Sequence, residues 1–235
     1  MEIIEKIKKK FELALLNRNA KLSYSQCGED LIIDFIFQTL KTPKISYLDI
    51  GTHHPTYINN TALSYRNGST GVCIEPDPFL FKKIKEERQK DICLNVGIGK
   101  GFHQEADFYI MSVPTLNTFS KEEAERYVSY GDKKIEQVIK MPLMDVNEII
   151  KKYFNPFPDF ISLDVEGLDF AILKSFDFES YRPKVWCIET LTYTENHTEE
   201  KIKETIDYML SKNYFIYADT YINTIFVDKA TWEKR

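Results

Sequence analysis

The chain has 235 residues, of which 43% are hydrophobic and 14% aromatic, enough to bury a sizeable core in one domain. Its net charge is −5 and it has no basic stripe, which argues against a nucleic-acid partner. No apolar run approaches the roughly 18 residues that span a bilayer, so we expect no stable membrane insertion.

The N-terminal segment, residues 1–22, carries apolar residues at helical spacing between charged ones. We interpret it as an amphipathic helix that docks on the domain or on a second subunit, which would allow a homodimer. Charges interrupt every apolar run, unlike the core of a signal peptide. The four cysteines form no CxxC pair, so a reducing cytoplasm is the simplest setting.

Short apolar runs rich in β-branched and aromatic residues predict five strands, with helical stretches between them. The predicted strands are 45–50, 70–76, 91–98, 159–165 and 184–190, and the predicted helices are 58–67, 77–90, 168–176 and 198–212. This alternation predicts a parallel sheet with right-handed crossovers.

The C-terminal end differs from this pattern. Two strand-like runs, 214–219 and 222–228, are separated by a tight turn, so they must pair antiparallel. The architecture is that of class I S-adenosylmethionine-dependent methyltransferases, an α/β Rossmann-like fold with a mostly parallel seven-stranded sheet and a C-terminal antiparallel hairpin. Dehydrogenase domains lack the hairpin, and GxGxxG spacing is absent here, which disfavours an NAD-dependent oxidoreductase. We treat residues 23–235 as a single domain.

An insertion is predicted near residues 103–143, beside the carboxyl ends of the main strands where open α/β sheets bind ligands. It contains a strand-like run at 106–111, a helix at 120–130 and a second strand-like run at 135–143. Three of its tyrosines could form an aromatic wall for a sugar or simply pack together: Tyr109, Tyr127 and Tyr130.

Candidate cofactor residues follow the first three strands. Asp49 closes the first strand, and Gly51 begins a turn that offers backbone N–H donors and a close approach. Glu75 ends the second strand, where a carboxylate can accept both ribose hydroxyls or, alternatively, cap the next helix. Residues 95–97 end the third strand, where adenine would lie in this architecture, although strand-end turns often look alike.

Three carboxylates lie at the ends of the fourth and fifth strands: Asp164, Glu166 and Glu189. They could orient a substrate, supply a base, or bind a divalent cation through oxygen ligands. Alternatively, Asp164 and Glu166 cap the helix that begins near Leu168.

Three blocks in this order resemble the FkbM family of S-adenosylmethionine-dependent methyltransferases: "SYSQCGEDLII" (23–33), "LDIGTHHPTYINNTALSYRNGSTGVCIEPDP" (48–78) and "ISLDVEGLDFAILKS" (161–175). The resemblance runs from about residue 23 to residue 190. It implies O-methylation, commonly of a sugar or polyketide hydroxyl, often in bacterial capsule, lipopolysaccharide or natural-product pathways.

By matching motif, the resemblance implies that Asp49 and Gly51 line the methionine part of the cofactor and that Glu75 holds the ribose. The block "SQCGED" would cover the cofactor from the N-terminal side, or start a helix at Ser25 or Gly28. The family loop commonly has a further glycine where Pro55 stands, so we expect compensating polar contacts from Asn60 and Thr61. The full predicted cofactor set is Gln26, Glu29, Asp30, Asp49, Gly51, Thr52, Asn60, Thr61, Glu75, Pro76, Asn95, Val96, Gly97 and Asp164.

The adjacent histidines His53 and His54 cannot easily face one cation, so a metal pair is disfavoured. One of them could hydrogen-bond cofactor or substrate, or be satisfied by loop backbone. His197 could act as a base or ligand beside Glu189, or merely precede the helix N-cap Thr198.

The expected reaction is in-line transfer of a methyl group to a sugar hydroxyl, on a nucleotide sugar or surface-glycan precursor. Asp164 or Glu166 is the candidate base, with His54 or His197 as substitutes. The rival device is Mg²⁺ or Mn²⁺ bound by Asp164 and Glu189. The alternatives to this function are a non-catalytic cofactor-binding or scaffold protein of the same fold, and a methyltransferase acting on a polyketide or other small-molecule hydroxyl.

Overall fold

The computed structural model describes residues 20–99, 104–165, 167–192 and 199–235. Nearly all of the predicted N-terminal helix therefore lies outside the described residues. Two predicted catalytic residues, Glu166 and His197, also lie outside them.

Ten strands and eight α-helices are found in the described residues. The strands are β1 (Ser46–Ile50), β2 (Thr70–Ile74), β3 (Ile92–Leu94), β4 (Gly97–Ile98), β5 (Glu105–Met111), β6 (Ile135–Met144), β7 (Phe160–Leu163), β8 (Val185–Glu189), β9 (Tyr214–Asp219) and β10 (Asn223–Asp228). The helices are α1 (Glu29–Thr39), α2 (Ala62–Arg66), α3 (Pro78–Glu87), α4 (Lys121–Ser129), α5 (Val146–Tyr153), α6 (Asp169–Ser175), α7 (Lys203–Ser211) and α8 (Lys229–Glu233).

The main sheet has seven strands in the order β3-β2-β1-β7-β8-β10-β9. Neighbours from β3 to β8 pair parallel, whereas β10 pairs antiparallel with both β8 and β9. The predicted parallel sheet with a terminal antiparallel hairpin is confirmed. The order reverses direction between β1 and β7, which is where open α/β sheets place their ligand crevice.

Both faces of the sheet are buried, which explains why its strands do not alternate between apolar and polar residues. On β1, Leu48 belongs to the core beneath α5, α6 and α7, while Tyr47 belongs to the core beneath α1. Both side chains are fully buried. The neighbouring strands divide their side chains between the two cores in the same way.

Several parts of the pattern differ from the prediction, among them the C-terminal helix α8, which was not predicted. The single strand predicted at 91–98 is two short strands, because Asn95 and Val96 interrupt it and β4 joins a second sheet with the order β4-β6-β5. Helix α5 was not predicted, although Asp145 caps it by accepting the N–H groups of Asn147 and Glu148.

The insertion contributes β5, α4 and β6. Strands β5 and β6 pair antiparallel, and the short strand β4, which precedes the insertion, pairs parallel with β6. Of the two roles open to its tyrosines, packing is what the structure supports: Tyr127 is buried against Met111 and Leu116, and Tyr109 and Tyr130 pack on that cluster.

Candidate active site

A cavity of about 410 Å³ opens at the carboxyl ends of β1, β2, β7 and β8. Its size falls within the usual range for small-molecule sites. The strand ends, the insertion and the turn between β9 and β10 form much of its wall, and residues before α1, in α3 and after β8 add to it. The lining includes Gln26, Gly51, His53, Ile58, Glu75, Pro76, Leu80, Phe108, Pro114, Thr115, Leu116, Asn117, Phe119, Asp164, Val165, Glu189, Leu191, Thr192, Glu199, Tyr221 and Ile222.

Gly51 lines the cavity at the point where β1 ends. Its φ of +82° is left-handed, and a Cβ placed there would lie 1.8 Å from the carbonyl oxygen of Asp164. Glycine is therefore required by the close approach of two strand ends as well as by the turn. The turn is held by the N–H of Gly51, which donates to the carbonyl of Ile74 at 3.1 Å.

The segment after β1, residues 51–61, is called the cofactor loop here. Asp49 does not line the cavity. Its buried carboxylate accepts hydrogen bonds from Thr61 Oγ1 at 2.6 Å and Asn59 Nδ2 at 3.2 Å, and Arg88 Nη1 lies 3.7 Å away. Asp49 thus ties the far end of the loop back to β1.

Two further loop residues predicted to touch the cofactor also lie away from the cavity. Thr52 is buried, and its hydroxyl donates to the carbonyl of Asp49 at 3.1 Å. Asn60 donates through Nδ2 to the hydroxyl of Ser162 at 3.2 Å. Direct contact by Asp49, Thr52, Asn60 and Thr61 is therefore not what the geometry favours, because hydrogen bonds within the fold occupy their polar groups.

Glu75 ends β2 with its side chain in the cavity wall. Its Oε2 accepts the N–H of His53 at 2.7 Å, and its Oε1 accepts the N–H of Asp77 at 2.8 Å. Burial raises the pKa of Glu75 to about 8, against the opposing effect of the two N–H donors. Each oxygen keeps acceptor capacity for a ligand hydroxyl. The alternative role, capping the next helix, belongs to Asp77, which accepts the N–H groups of Phe79 and Leu80.

The histidine pair is divided between two environments. His53 lines the cavity in a left-handed conformation with φ +59°. His54 does not line it: its Nδ1 accepts the backbone N–H groups of Thr56 at 3.2 Å and Tyr57 at 3.0 Å. Burial lowers the pKa of both imidazoles. The sequence favoured His54 as the substitute base, whereas the structure brings His53 to the cavity.

Two carboxyl groups, Asp164 and Glu189, face the cavity from the ends of β7 and β8. Burial raises the pKa of Asp164 to about 6, and a hydrogen bond with Glu189 opposes that rise. Two carboxyls can share such a bond only when one of them carries a proton. Asp164 is thus able to accept a proton near neutral pH.

Asp169 supports this pair from beneath. Its Oδ1 accepts the N–H of Val165 at 3.1 Å, which holds the turn after β7. Its pKa is raised to about 7, first by burial and then by the charge of Asp164. Asp164 is not the cap of α6: the N-cap is Leu168, which makes no side-chain cap hydrogen bond, and Asp169 lies in the first turn.

The block "SQCGED" contributes one cavity residue, Gln26. Glu29 is fully buried and accepts from Thr220 Oγ1 at 2.7 Å and Asn223 Nδ2 at 3.1 Å. Asp30 accepts from the Ser23 hydroxyl at 2.6 Å and the N–H of Tyr24 at 2.7 Å. Glu29 and Asp30 therefore anchor the segment rather than reach the cavity. The N-cap of α1 is Gly28, one of the two residues predicted.

The region predicted to border adenine lies beside the cavity. Asn95 donates through Nδ2 to the carbonyls of Glu75 and Pro76, both at 2.8 Å. Val96 packs on the core, and Gly97 lines a small apolar recess that adjoins the cavity together with Pro76. Two predicted cofactor residues, Gly51 and Pro76, line both the cavity and the recess.

The outer walls were only partly foreseen. From the insertion, Phe108 and Phe119 line the cavity with their ring centroids 4.7 Å apart. From the hairpin, Tyr221 donates its hydroxyl to Glu199 at 2.9 Å. Its left-handed φ of +76° at the tight turn was a feature that the sequence could not reveal.

Within the described ranges, no three His, Cys, Asp or Glu side chains come together as a cation site. Asp164 and Glu189, the predicted ligands, form a pair without a described third ligand. Nor does any described helix have the length and apolar character to cross a membrane.

The strand order, the reversed strand β10 and the cavity at the strand ends define a class I methyltransferase fold. The chain belongs to the FkbM methyltransferase family, because the Methyltransferase FkbM domain matches residues 49–216. It is therefore an S-adenosylmethionine-dependent methyltransferase, as the resemblance implied. Comparison with curated protein sequences gives no match.

Two solved structures are similar to most of the chain. One is the Burkholderia thailandensis 1,6-didemethyltoxoflavin-N1-methyltransferase with bound 1,6-didemethyltoxoflavin and S-adenosylhomocysteine, at 8% identity and TM-score 0.43, covering 97% of this chain and 89% of that one. The other is a Staphylococcus aureus protein assigned as a caffeoyl-CoA O-methyltransferase, at 12% identity and TM-score 0.44, covering 94% of this chain and 91% of that one.

Proposed function

We propose that this enzyme methylates a hydroxyl group of a sugar, with the Asp164–Glu189 pair as proton acceptor. The observation that carries the proposal is the position of the Asp164 and Glu189 carboxyls in the wall of one cavity, at the ends of β7 and β8. Burial raises the pKa of Asp164 to about 6. A sugar hydroxyl is a poor nucleophile until its proton is removed, and a base that titrates near neutral pH is suited to that step.

Glu75 is our candidate for holding the ribose of S-adenosylmethionine, with Gly51 and Gln26 beside the rest of the cofactor. When bound, the cofactor supplies an electrophilic methyl group on a positively charged sulfur. The protein then has to align the acceptor oxygen and take up its proton. Above about pH 6 the ionised Asp164 also provides negative potential for a cationic ligand.

Base assistance is favoured over metal assistance by the ligand set. A divalent cation in proteins usually takes several oxygen ligands, and only Asp164 and Glu189 meet here in the described residues. Turnover in the presence of a strong chelator separates the two devices: we expect no loss, and a loss restored by Mg²⁺ or Mn²⁺ would support the metal.

The charge of the cavity favours an acceptor without phosphate. Its described lining includes the carboxyls of Glu75, Asp164, Glu189 and Glu199 and no lysine or arginine. A nucleotide sugar would bring its diphosphate toward these carboxyls without a described cation to pair it. The rings of Phe108 and Phe119 can instead pack against the apolar face of an uncharged sugar.

A panel of acceptors with methyl-labelled cofactor tests the proposal. It compares neutral glycosides, nucleotide sugars, and polyketide-like or phenolic hydroxyls at equal concentration. We expect product with neutral glycosides, at least tenfold faster than with nucleotide sugars. Product confined to phenolic or polyketide hydroxyls would support the alternative acceptor class.

A cytoplasmic location is part of the same proposal, supported by four free thiols at Cys27, Cys73, Cys93 and Cys187.

A further inference from the structure

Arg88 follows α3 and is 1% exposed, which is unusual for arginine. Its side chain contacts the cofactor loop at Asn59 and Thr61 and is not among the residues that line the cavity. A buried guanidinium persists only when its donors and charge are matched by partners. What those partners are shows what the residue does.

One side of the guanidinium is bound to the scaffold. Nε donates to Asp91 Oδ2 at 2.8 Å, and Asp91 also accepts the N–H of Gly71 at 2.9 Å. Nη2 donates to the hydroxyl of Tyr47 at 2.8 Å. These contacts join the end of α3 to β1 and β2.

The other side is bound to the cofactor loop. Nη2 donates to Thr61 Oγ1 at 2.9 Å, and Nη1 donates to Asn59 Oδ1 at 3.3 Å. The same two residues donate to the carboxylate of Asp49, which lies 3.7 Å from Nη1. Arg88 and Asp49 therefore hydrogen-bond to the same two residues, Asn59 and Thr61, at one end of the cofactor loop.

The hydrogen-bond network around Asn59 connects both ends of the cofactor loop. Asn59 Nδ2 also donates to the carbonyl of Thr52 at 2.9 Å, next to Gly51 and His53 in the cavity wall. Burial raises the pKa of Asp49, and the nearby Arg88 charge opposes that rise and favours the carboxylate. Without Arg88, a neutral Asp49 would be a weaker acceptor for Thr61 and Asn59.

We propose that Arg88 is a positioning residue for cofactor binding, which holds the cofactor loop in shape through Asp49 without touching the ligand. The proposal rests on the family's use of S-adenosylmethionine and is independent of the acceptor. Lysine cannot replace arginine here, because one ammonium cannot reach Asp91, Tyr47, Thr61 and Asn59 together.

The test measures S-adenosylhomocysteine binding by calorimetry on the full chain and on Arg88→Lys. We expect at least tenfold weaker binding. With labelled S-adenosylmethionine and any accepted acceptor, we also expect KM for the cofactor to rise at least fivefold while kcat stays within threefold.

The matched control is Arg182→Lys. Arg182 also pairs with a buried aspartate, Asp228, and donates to the carbonyl of Lys212 at 2.8 Å, but it lines no part of the cavity. We expect it to lower the melting temperature comparably while changing S-adenosylhomocysteine affinity less than twofold. Equal weakening by both variants, or none by Arg88→Lys, would overturn the proposal.

If Arg88→Lys does not fold, Thr61→Val decides the question. It removes the hydroxyl between Arg88 and Asp49 and leaves the Arg88–Asp91 ion pair in place. Binding weakened at least fivefold supports the proposal, and unchanged binding overturns it. Because the assay needs no acceptor, its outcome is separate from that of the sugar proposal.

Discussion

Replacing Glu75 by Gln is expected to weaken cofactor binding and to remove one source of pH-dependent instability. The carboxyl is 5% exposed and its pKa is raised to about 8. The native state therefore holds a proton that the unfolded chain releases above its ordinary pKa near 4.5. Because the unfolded state binds fewer protons, stability falls as pH rises from about 4.5 to about 8.

The size of this effect follows from the difference in proton affinity. At about 1.4 kcal/mol for each tenfold change, the full shift corresponds to roughly 5 kcal/mol. Water that enters the cavity solvates the carboxylate, so we expect about 2 kcal/mol between pH 5 and pH 8.5. Urea unfolding at the two pH values measures this. Between pH 5 and pH 8.5, the free energy of unfolding of wild type should fall by about 2 kcal/mol more than that of Glu75→Gln.

Cofactor binding should respond in the opposite sense. Ribose hydroxyls donate better to an ionised carboxylate, and losing a charged acceptor costs about 1.5–3 kcal/mol, or roughly tenfold to more than a hundredfold in affinity. Wild-type affinity for S-adenosylhomocysteine should therefore rise from pH 6.5 to pH 8.5, and that of Glu75→Gln should not. Calorimetry at both pH values tests this, and parallel pH dependence in the two proteins would refute the reasoning.

Three further predictions concern the neighbouring residues. Asp164→Asn should lower kcat at least a hundredfold with little change in S-adenosylhomocysteine affinity. Wild-type kcat should rise with pH through about 6 as the Asp164 carboxyl ionises, and a flat pH profile would contradict the base assignment. Gly51→Ala should lower the free energy of unfolding by about 3 kcal/mol, measured with urea. Gly28 is also left-handed but has open space around it, so Gly28→Ala should lower it by about 1 kcal/mol. Equal losses would contradict the clash with Asp164. His54→Ala should destabilise by about 1 kcal/mol and change kcat less than threefold, because its Nδ1 serves loop backbone; a kcat loss like that of Asp164→Asn would return His54 to the catalytic step.

The strands of the main sheet and its terminal antiparallel hairpin could be predicted because each strand is a compact apolar run between turn signals. Helix α5 was missed although its signals are local: an aspartate cap at Asp145 and buried apolar residues at Val146, Ile149 and Ile150. The strand predicted at 91–98 was merged because apolar runs do not reveal where a chain leaves one sheet for another.

The candidate site was predicted at its strand ends and less well elsewhere. Gly51, Glu75, Asp164 and Glu189 follow strands whose ends must meet in a parallel sheet, so their position in the cavity wall follows from topology. Asp49 was assigned to the cofactor by motif, but sequence spacing cannot show that a buried arginine lies behind it. The partner of a buried charge depends on tertiary packing, which local patterns do not encode.

The second sheet holds part of the cavity wall on a segment that is separate from the main sheet. Phe108 and Phe119 reach the cavity from the segment of the second sheet, which follows β3 and ends before α5. In this segment Asn117 Nδ2 donates to Asp77 Oδ2 at 2.9 Å. That segment contributes neither Gly51 nor Glu75. We therefore expect exchange of residues 104–144 between relatives, with the Asn117–Asp77 contact kept, to change this part of the cavity wall and leave Gly51 and Glu75 in place.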